Sequence, residues 1–205
     1  KKLVKLKIGM SGASGFGKTY SALLLAFGIT GDWSKIAVID TENDSASLYS
    51  DLGEYNSLAL SAPFSPERYC EAIDTCVTAG IECIIIDSIS HEWEGKGGCL
   101  EILEALGGQF RDWAKVTPRH KKFIDAILQA KLHIVGCART KSDYAMEEGT
   151  NKFGKSVTKP VKVGFKTEQR EGLEFEFTTI FRLNHRHMAS ASKDRASIFD
   201  GIDEI

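Results

Sequence analysis

The sequence predicts an α/β fold in which a mostly parallel central sheet is flanked by helices. First, residues 3–8 alternate apolar and basic side chains, and a glycine-rich loop and a helix-forming stretch, 20–27, follow directly. Second, three later runs, 34–40, 81–87 and 133–138, are almost continuously apolar. Such runs are typical of strands that are buried on both faces of a parallel sheet. Helical patterns lie between them, which is the order expected of strands joined by crossover helices.

The glycine-rich loop has the complete pattern of a phosphate-binding loop (P-loop), G-x-x-x-x-G-K-[ST]. The predicted nucleotide-binding residues are Gly12, Ala13, Ser14, Gly15, Phe16, Gly17, Lys18, Thr19 and the adjacent Tyr20. Glycines allow successive backbone N–H groups to face an anion, and the next helix adds the positive end of its dipole. Lys18 would reach the β- and γ-phosphates, and the Thr19 hydroxyl would bind Mg²⁺. The pattern therefore predicts ATP and Mg²⁺ as cofactors.

Acidic residues follow two of the apolar runs. Asp87 ends one of them, and Asp40 and Glu42 lie at the end of another. The carboxyl ends of parallel strands face the ligand crevice of an open α/β sheet. Asp87 is therefore predicted to hold the magnesium ion together with Thr19. Glu42 is a candidate general base for the attacking water; the alternative is that Asp40 or Glu42 only caps the helix that follows.

Composition excludes several classes of protein. The 205 residues, 42% hydrophobic and 26% charged, predict a single domain over residues 1–205 with an ordinary core. The net charge of −2 excludes a globally basic nucleic-acid binder, so any DNA contact must come from a local patch. Five cysteines without C-x-x-C spacing favour reduced thiols over disulfides or a zinc framework. Without a membrane-spanning stretch or a signal peptide, we expect a cytoplasmic protein with no membrane partner.

Residues 88–98 contain three glycines, two acids, a lysine and a tryptophan, and they follow Asp87. This composition predicts a mobile loop over the site; the alternative is a solvated loop that is pinned by Trp93. His91 and Glu92 match the start of a zinc-protease motif, but Gly95 occupies the position of its second histidine. A zinc site of that type is therefore rejected.

Residues 139–170 form a basic stretch that is predicted to be a mobile loop or hairpin. At its start, Arg139 and Lys141 are candidate sensors of the γ-phosphate. Farther along, lysines alternate with glycines and aromatic rings, a composition that can follow a single-stranded backbone and stack bases. The candidate DNA-binding residues are Lys152, Lys155, Lys159, Lys162 and Lys166. On composition alone, a solvated surface hairpin is the stronger alternative.

Residues 172–200 are predicted to form C-terminal strands. Lys193 and Arg195 share one face of an extended backbone, and two adjacent cations repel each other unless an anion lies between them. A neighbouring subunit can supply such a pair to a phosphate site. By spacing alone, a plain surface strand is the stronger alternative.

Together, these motifs resemble the RecA-like recombinase ATPases. The resemblance runs from about Val4 to Gly201 and rests on the P-loop, Ile39-Asp40-Thr41-Glu42-Asn43 and Ile84-Ile85-Ile86-Asp87-Ser88. Two stretches, 87–98 and 192–195, are similar to a narrower group, the phage-encoded RecA-like nucleotide-binding proteins, some of which are single-strand annealing recombinases. The resemblance implies a RecA-like P-loop NTPase fold with a C-terminal antiparallel hairpin extension.

The resemblance also implies functional roles. It makes Glu42 the catalytic base beside Lys18 and Asp87, and it makes Lys193 and Arg195 similar to fingers that enter the next subunit's ATP site. The implied function is that of a Mg²⁺-dependent ATPase that binds single-stranded DNA and promotes annealing or recombination. It would work as a ring or filament, in the bacterial host cytoplasm if phage-encoded. Arg139 departs from the family, which usually has glutamine there. A small-molecule kinase and an ATP-gated DNA-binding module with little turnover are the alternatives.

Overall fold

The computed structural model describes residues 4–150, 156–170 and 172–205, with side chains outside 142–166 and 175. Within these residues the strands are β1 Lys7–Gly12, β2 Ile36–Asp40, β3 Asn56–Ala59, β4 Cys83–Asp87, β5 His133–Thr150, β6 Ser156–Thr167, β7 Thr179–Leu183 and β8 Ala189–Asp194. The α-helices are α1 Lys18–Thr30, α2 Pro66–Thr78, α3 Ser90–Glu94, α4 Cys99–Ala105 and α5 Trp113–Gln129. Short 3₁₀ helices cover Trp33–Lys35, Ser45–Leu52, Phe110–Asp112 and Leu173–Phe175. None of the helices in these ranges is both long and apolar enough to cross a bilayer.

The sheet has the strand order β3-β2-β4-β5-β1-β7-β8. All neighbours pair in parallel except β7 and β8, which form the antiparallel C-terminal hairpin. Beyond the sheet, the outer part of β5 pairs antiparallel with β6. The predicted α/β fold with a mostly parallel sheet is therefore confirmed.

Strand register brings the predicted site residues to one edge of the sheet. Asp40 at the end of β2 pairs with Asp87 at the end of β4, and Gly12 at the end of β1 pairs with Arg139 in β5. Strand β5 lies between β1 and β4, so it separates the P-loop strand from the Asp87 strand. This order leaves a crevice at the carboxyl ends where a ligand can contact several strands.

Both faces of the sheet are covered by helices. Tyr69 of α2 and Phe123 of α5 pack on one face, and Leu23 of α1 packs on the other. In β4, Ile85 and Ile86 face opposite sides and are both fully buried. Each isoleucine contributes about 1.5–3 kcal/mol by burial, which explains why this strand has no polar alternation.

Strand β1 lies farther along the chain than predicted. The alternation of residues 3–8 places a strand before the glycine motif, but the observed strand, Lys7–Gly12, runs into it and is buried throughout. Pairing with β5 on one side and β7 on the other fixes this register. Lys7 tolerates burial because its Nζ donates to the carbonyls of Ala130 (2.9 Å) and Leu132 (2.8 Å), and burial lowers its pKa to about 8.

Three other predicted elements differ from the structure. The loop expected over 88–98 is wrong in part, because Ser90–Glu94 forms helix α3 with Ser90 and Glu92 fully buried. A proline in a helical pattern usually marks the helix start, but helix α5 begins at Trp113 and Pro118 lies inside it. Because proline has no backbone N–H, one helical hydrogen bond is missing near the helix start, and the packed helix tolerates this loss. The strands expected over 172–200 are limited to Thr179–Leu183 and Ala189–Asp194.

Candidate functional site

The P-loop connects β1 to α1 through a backbone that requires glycine. Gly15 and Gly17 have φ values of 80° and 90°, in the left-handed region that side chains disfavour. A Cβ atom on Gly17 would also lie 3.2 Å from Nδ1 of His187. The glycines of the motif are therefore needed for this turn, as the sequence pattern suggests.

The P-loop lysine is held by its own loop. Lys18 Nζ donates to the carbonyl oxygens of Gly12 and Ala13, at 3.0 Å each, and the residue is only 8% exposed. A buried cation satisfied by two neutral carbonyls retains an uncompensated positive charge at the loop. That charge is available to an anion bound in the crevice.

Thr19 and Asp87 meet at the start of α1. The Thr19 hydroxyl donates to Oδ2 of Asp87 at 2.5 Å. The pKa of Asp87 is raised to about 6, chiefly by burial; the bond from Thr19 opposes this shift, and the nearby Glu42 carboxylate adds to it. A buried carboxylate with a raised pKa is stabilised by a cation, and hydroxyl and carboxylate oxygens are the ligands that Mg²⁺ prefers. These two residues therefore fit a magnesium-bound nucleotide.

The sequence left open whether Asp40 or Glu42 caps the segment after β2, and in the structure Asp40 has this role. Its Oδ1 accepts from the backbone N–H of Glu42 at 2.6 Å, and its Oδ2 accepts from that of Ala46 at 2.8 Å. Asp40 thus holds the turn that follows β2. The side chain of Glu42 is left to extend into the crevice.

Glu42 is held there by a two-bond salt bridge. Arg139 Nε donates to Oε1 at 2.7 Å, and its Nη2 donates to Oε2 at 2.6 Å. Burial alone would raise the pKa of Glu42, but the hydrogen bonds and charge of Arg139 outweigh it and lower the pKa. Glu42 is therefore a carboxylate at neutral pH, with both oxygens engaged.

Arg139 lies where β5 leaves the sheet and continues into the hairpin with β6. Its N–H donates to Ser90 Oγ at 2.9 Å, and its carbonyl accepts from Glu168 N–H at 2.8 Å. The other candidate sensor, Lys141, pairs with Glu94 of α3 at 3.2 Å, and neither Lys141 nor Arg139 lines the crevice. Arg139 therefore contacts the acid at the site and the base of the hairpin together.

The crevice has a volume of about 660 Å³. Its lining includes eight predicted residues: Ser14, Gly15, Gly17, Lys18, Thr19, Tyr20, Glu42 and Asp87. It also includes five that the sequence analysis missed: Ser21, Leu24, Ser45, Tyr49 and His187. Helical spacing from the motif could have identified Ser21 and Leu24, but the other three come from segments without a local signal. Tyr20 and Tyr49 make an edge-to-face contact at 5.7 Å.

Three predicted P-loop residues do not line the crevice. Gly12 and Ala13 supply the carbonyls that hold Lys18, and Phe16 packs against the core cluster beneath α1. Some residues of the loop therefore line the crevice, whereas others stabilise the conformation of the loop.

The predicted finger and DNA-binding residues lie elsewhere. Lys193, in β8, lines a second cavity of about 550 Å³, and Arg195 follows the end of that strand. Neither lines the P-loop crevice of its own chain. Lys152 and Lys155 lie outside the described residues. Lys159, Lys162 and Lys166 belong to β6, and their side chains are outside the description.

A scan against protein families matches residues 4–199 to AAA_24, an AAA domain. The chain belongs to this family. A comparison with curated proteins finds no match. Among solved structures, the chain is similar to a KaiC-like protein from the hyperthermophilic archaeon Pyrococcus horikoshii OT3, with 14% identity and a TM-score of 0.48. The match covers 93% of this chain and 80% of that one. Family membership and the P-loop geometry agree on a nucleotide-binding AAA domain.

Proposed function

We propose that this AAA domain hydrolyses ATP with Mg²⁺ and couples hydrolysis to single-stranded DNA in annealing or recombination. The observation that carries the proposal is the meeting of a phosphate loop, the Thr19–Asp87 pair and the Glu42 carboxylate in one crevice. A phosphate cradle alone is compatible with many reactions. A carboxylate from the neighbouring strand adds the group that activates water.

Each residue has a distinct task in this proposal. Lys18 and the loop amides bind the phosphates, and Thr19 and Asp87 hold Mg²⁺, which neutralises phosphate charge when bound. Glu42, a carboxylate because its pKa is lowered, orients water and accepts its proton. To do so, at least one of its oxygens must separate from Arg139.

The link to DNA is proposed on the position of Arg139. The same residue holds Glu42 and closes the base of the β5–β6 hairpin. The hairpin sequence carries the lysines that would attract a phosphate backbone. Single-stranded DNA bound on the hairpin would therefore shift Arg139 and release Glu42. ATP turnover would then depend on DNA.

Assembly is proposed because Lys193 and Arg195 do not line the crevice of their own chain. As fingers they would complete the site of the next subunit in a ring or filament. Mixing Lys193→Ala with Glu42→Gln protein tests this idea. Partial recovery of turnover in the mixture supports shared sites, whereas strictly additive loss contradicts them.

A second candidate function is an ATP-gated DNA-binding module with little turnover. It is favoured by one observation, the engagement of both Glu42 oxygens by Arg139. The deciding experiment measures phosphate release from Mg²⁺-ATP with and without single-stranded DNA and without any other acceptor. Stimulated release that disappears in Glu42→Gln supports the ATPase. Salt-dependent DNA binding with no release in either protein supports the module.

A further inference from the structure

Three side chains of metal-ligand type meet in the interior, outside the P-loop crevice. Glu92 comes from α3, Cys99 from the start of α4 and His120 from α5. Glu92 and Cys99 are fully buried and His120 is 6% exposed. Their ligand atoms all lie within 4.8 Å of one another. No motif in the sequence indicates this grouping, because the three residues belong to three separate helices.

We propose that Glu92, Cys99 and His120 bind one divalent zinc-type ion. Zinc bonds of about 2.0–2.3 Å place tetrahedral ligand atoms about 3.3–3.7 Å apart. Here Cys99 Sγ lies 3.1 Å from Glu92 Oε1, and His120 Nδ1 lies 3.1 Å from both oxygens of Glu92. Small rotations of these side chains therefore suffice to admit the ion.

Charge and ligand chemistry favour zinc over magnesium. The negative charges of the Cys99 thiolate and the Glu92 carboxylate together equal the charge of a divalent cation. With a neutral His120 imidazole as the third ligand, the buried site has no net charge. Sulfur and nitrogen ligands select borderline metals such as zinc, whereas Mg²⁺ prefers oxygen. The site is therefore chemically distinct from the Thr19–Asp87 pair of the P-loop crevice.

The surroundings hold the ligands in orientation. Gln169 donates through Nε2 to the carbonyl of Ile89 at 2.9 Å and approaches Glu92 Oε2 at 3.4 Å. Trp93 contacts the His120 ring edge-to-face at 5.3 Å. Because Gln169 presents its nitrogen to Glu92, its amide does not serve as a fourth ligand. Outer contacts of this kind fix ring and carboxylate orientation in metal sites.

The ion would join elements that are separate in the sequence. It would connect α3, α4 and α5 and, through Gln169, the chain that leaves β6. The competing arrangement is a metal-free network in which Cys99 and His120 donate hydrogen bonds to Glu92. Burial and the nearby Glu92 charge raise the pKa of the Cys99 thiol well above its ordinary value. Metal uptake must therefore displace the thiol proton.

The test uses the full chain, with any affinity tag removed, from zinc-supplemented cultures. Elemental analysis after gel filtration should find about one zinc per chain. Replacement by cobalt should give the near-ultraviolet absorption of a thiolate–cobalt bond, and uptake should release protons. Cys99→Ala should abolish this band, while Cys76→Ala, at a buried cysteine of α2 outside the cluster, should retain it.

Negligible zinc and no thiolate–cobalt band in folded wild-type protein would leave only the hydrogen-bonded network and overturn the proposal. A band that persists in folded Cys99→Ala would overturn it too. If Cys99→Ala fails to fold, the zinc content and the cobalt spectrum of the wild-type protein decide whether the proposed site exists. Lys18→Ala should keep the zinc, because the proposed ligands lie outside the P-loop crevice.

Discussion

Replacing Arg139 with glutamine removes the guanidinium that holds both oxygens of Glu42. The two hydrogen bonds, of 2.7 and 2.6 Å, join charged groups, and a bond of that kind contributes about 1.5–3 kcal/mol. The side chains are 39% and 21% exposed, so water screens the pair and the lower end applies. A restraint of about 1.5–2 kcal/mol reduces the population of released Glu42 roughly ten- to thirtyfold.

We therefore expect ATP turnover by Arg139→Gln without DNA to exceed wild-type turnover about tenfold, with little further stimulation by DNA. The assay is phosphate release at saturating Mg²⁺-ATP, with and without a single-stranded oligonucleotide. Arg119→Gln is a matched control, since Arg119 makes a similar two-bond contact with Glu67, at 2.7 and 2.8 Å, outside the crevice. The control should leave turnover unchanged. Turnover of Arg139→Gln at or below the wild-type rate without DNA would show that Arg139 does not restrain Glu42.

The remaining predictions concern the crevice. Lys18→Ala should weaken binding of a fluorescent ATP analogue more than about tenfold, because a charge-assisted contact to phosphate is lost. Glu42→Gln should retain that binding and lose about a hundredfold or more in turnover. Tyr49→Ala should weaken nucleotide binding roughly two- to tenfold, since an aromatic pair contributes about 0.5–1.5 kcal/mol. Burial raises the pKa of Asp87 to about 6, so Mg²⁺-ATP affinity should fall between pH 7 and pH 5, and Asp87→Asn should flatten that dependence. Because the unfolded carboxyl titrates near 3.8, this group should also lower the free energy of unfolding as pH rises from about 4 to 6, measured without nucleotide.

Local signals in the sequence were sufficient for the central sheet and the phosphate loop. The glycine pattern predicts a turn that the backbone of Gly15 and Gly17 requires, and the unbroken apolar run predicts the doubly buried strand β4. These features depend on residues within a few positions of one another. That is why their location could be read without knowledge of the rest of the chain.

Features that depend on strand order could not be predicted in the same way. The Glu42–Arg139 contact joins residues 97 positions apart and exists because β4 alone separates β2 from β5. His187 reaches the loop from beyond β7, and its segment has no pattern that indicates this. Even the local rules failed where packing outweighed them, as at Pro118 inside α5.

Strand β5 has a mechanical consequence. Its 18 residues, at about 3.3 Å each, extend about 60 Å from His133 to Thr150, with a register shift between Asp143 and Tyr144. Its inner end is hydrogen-bonded on one side to the strand that leads into the phosphate loop and on the other to the strand that carries Asp87. A displacement of β5 would therefore act on both walls of the crevice at once.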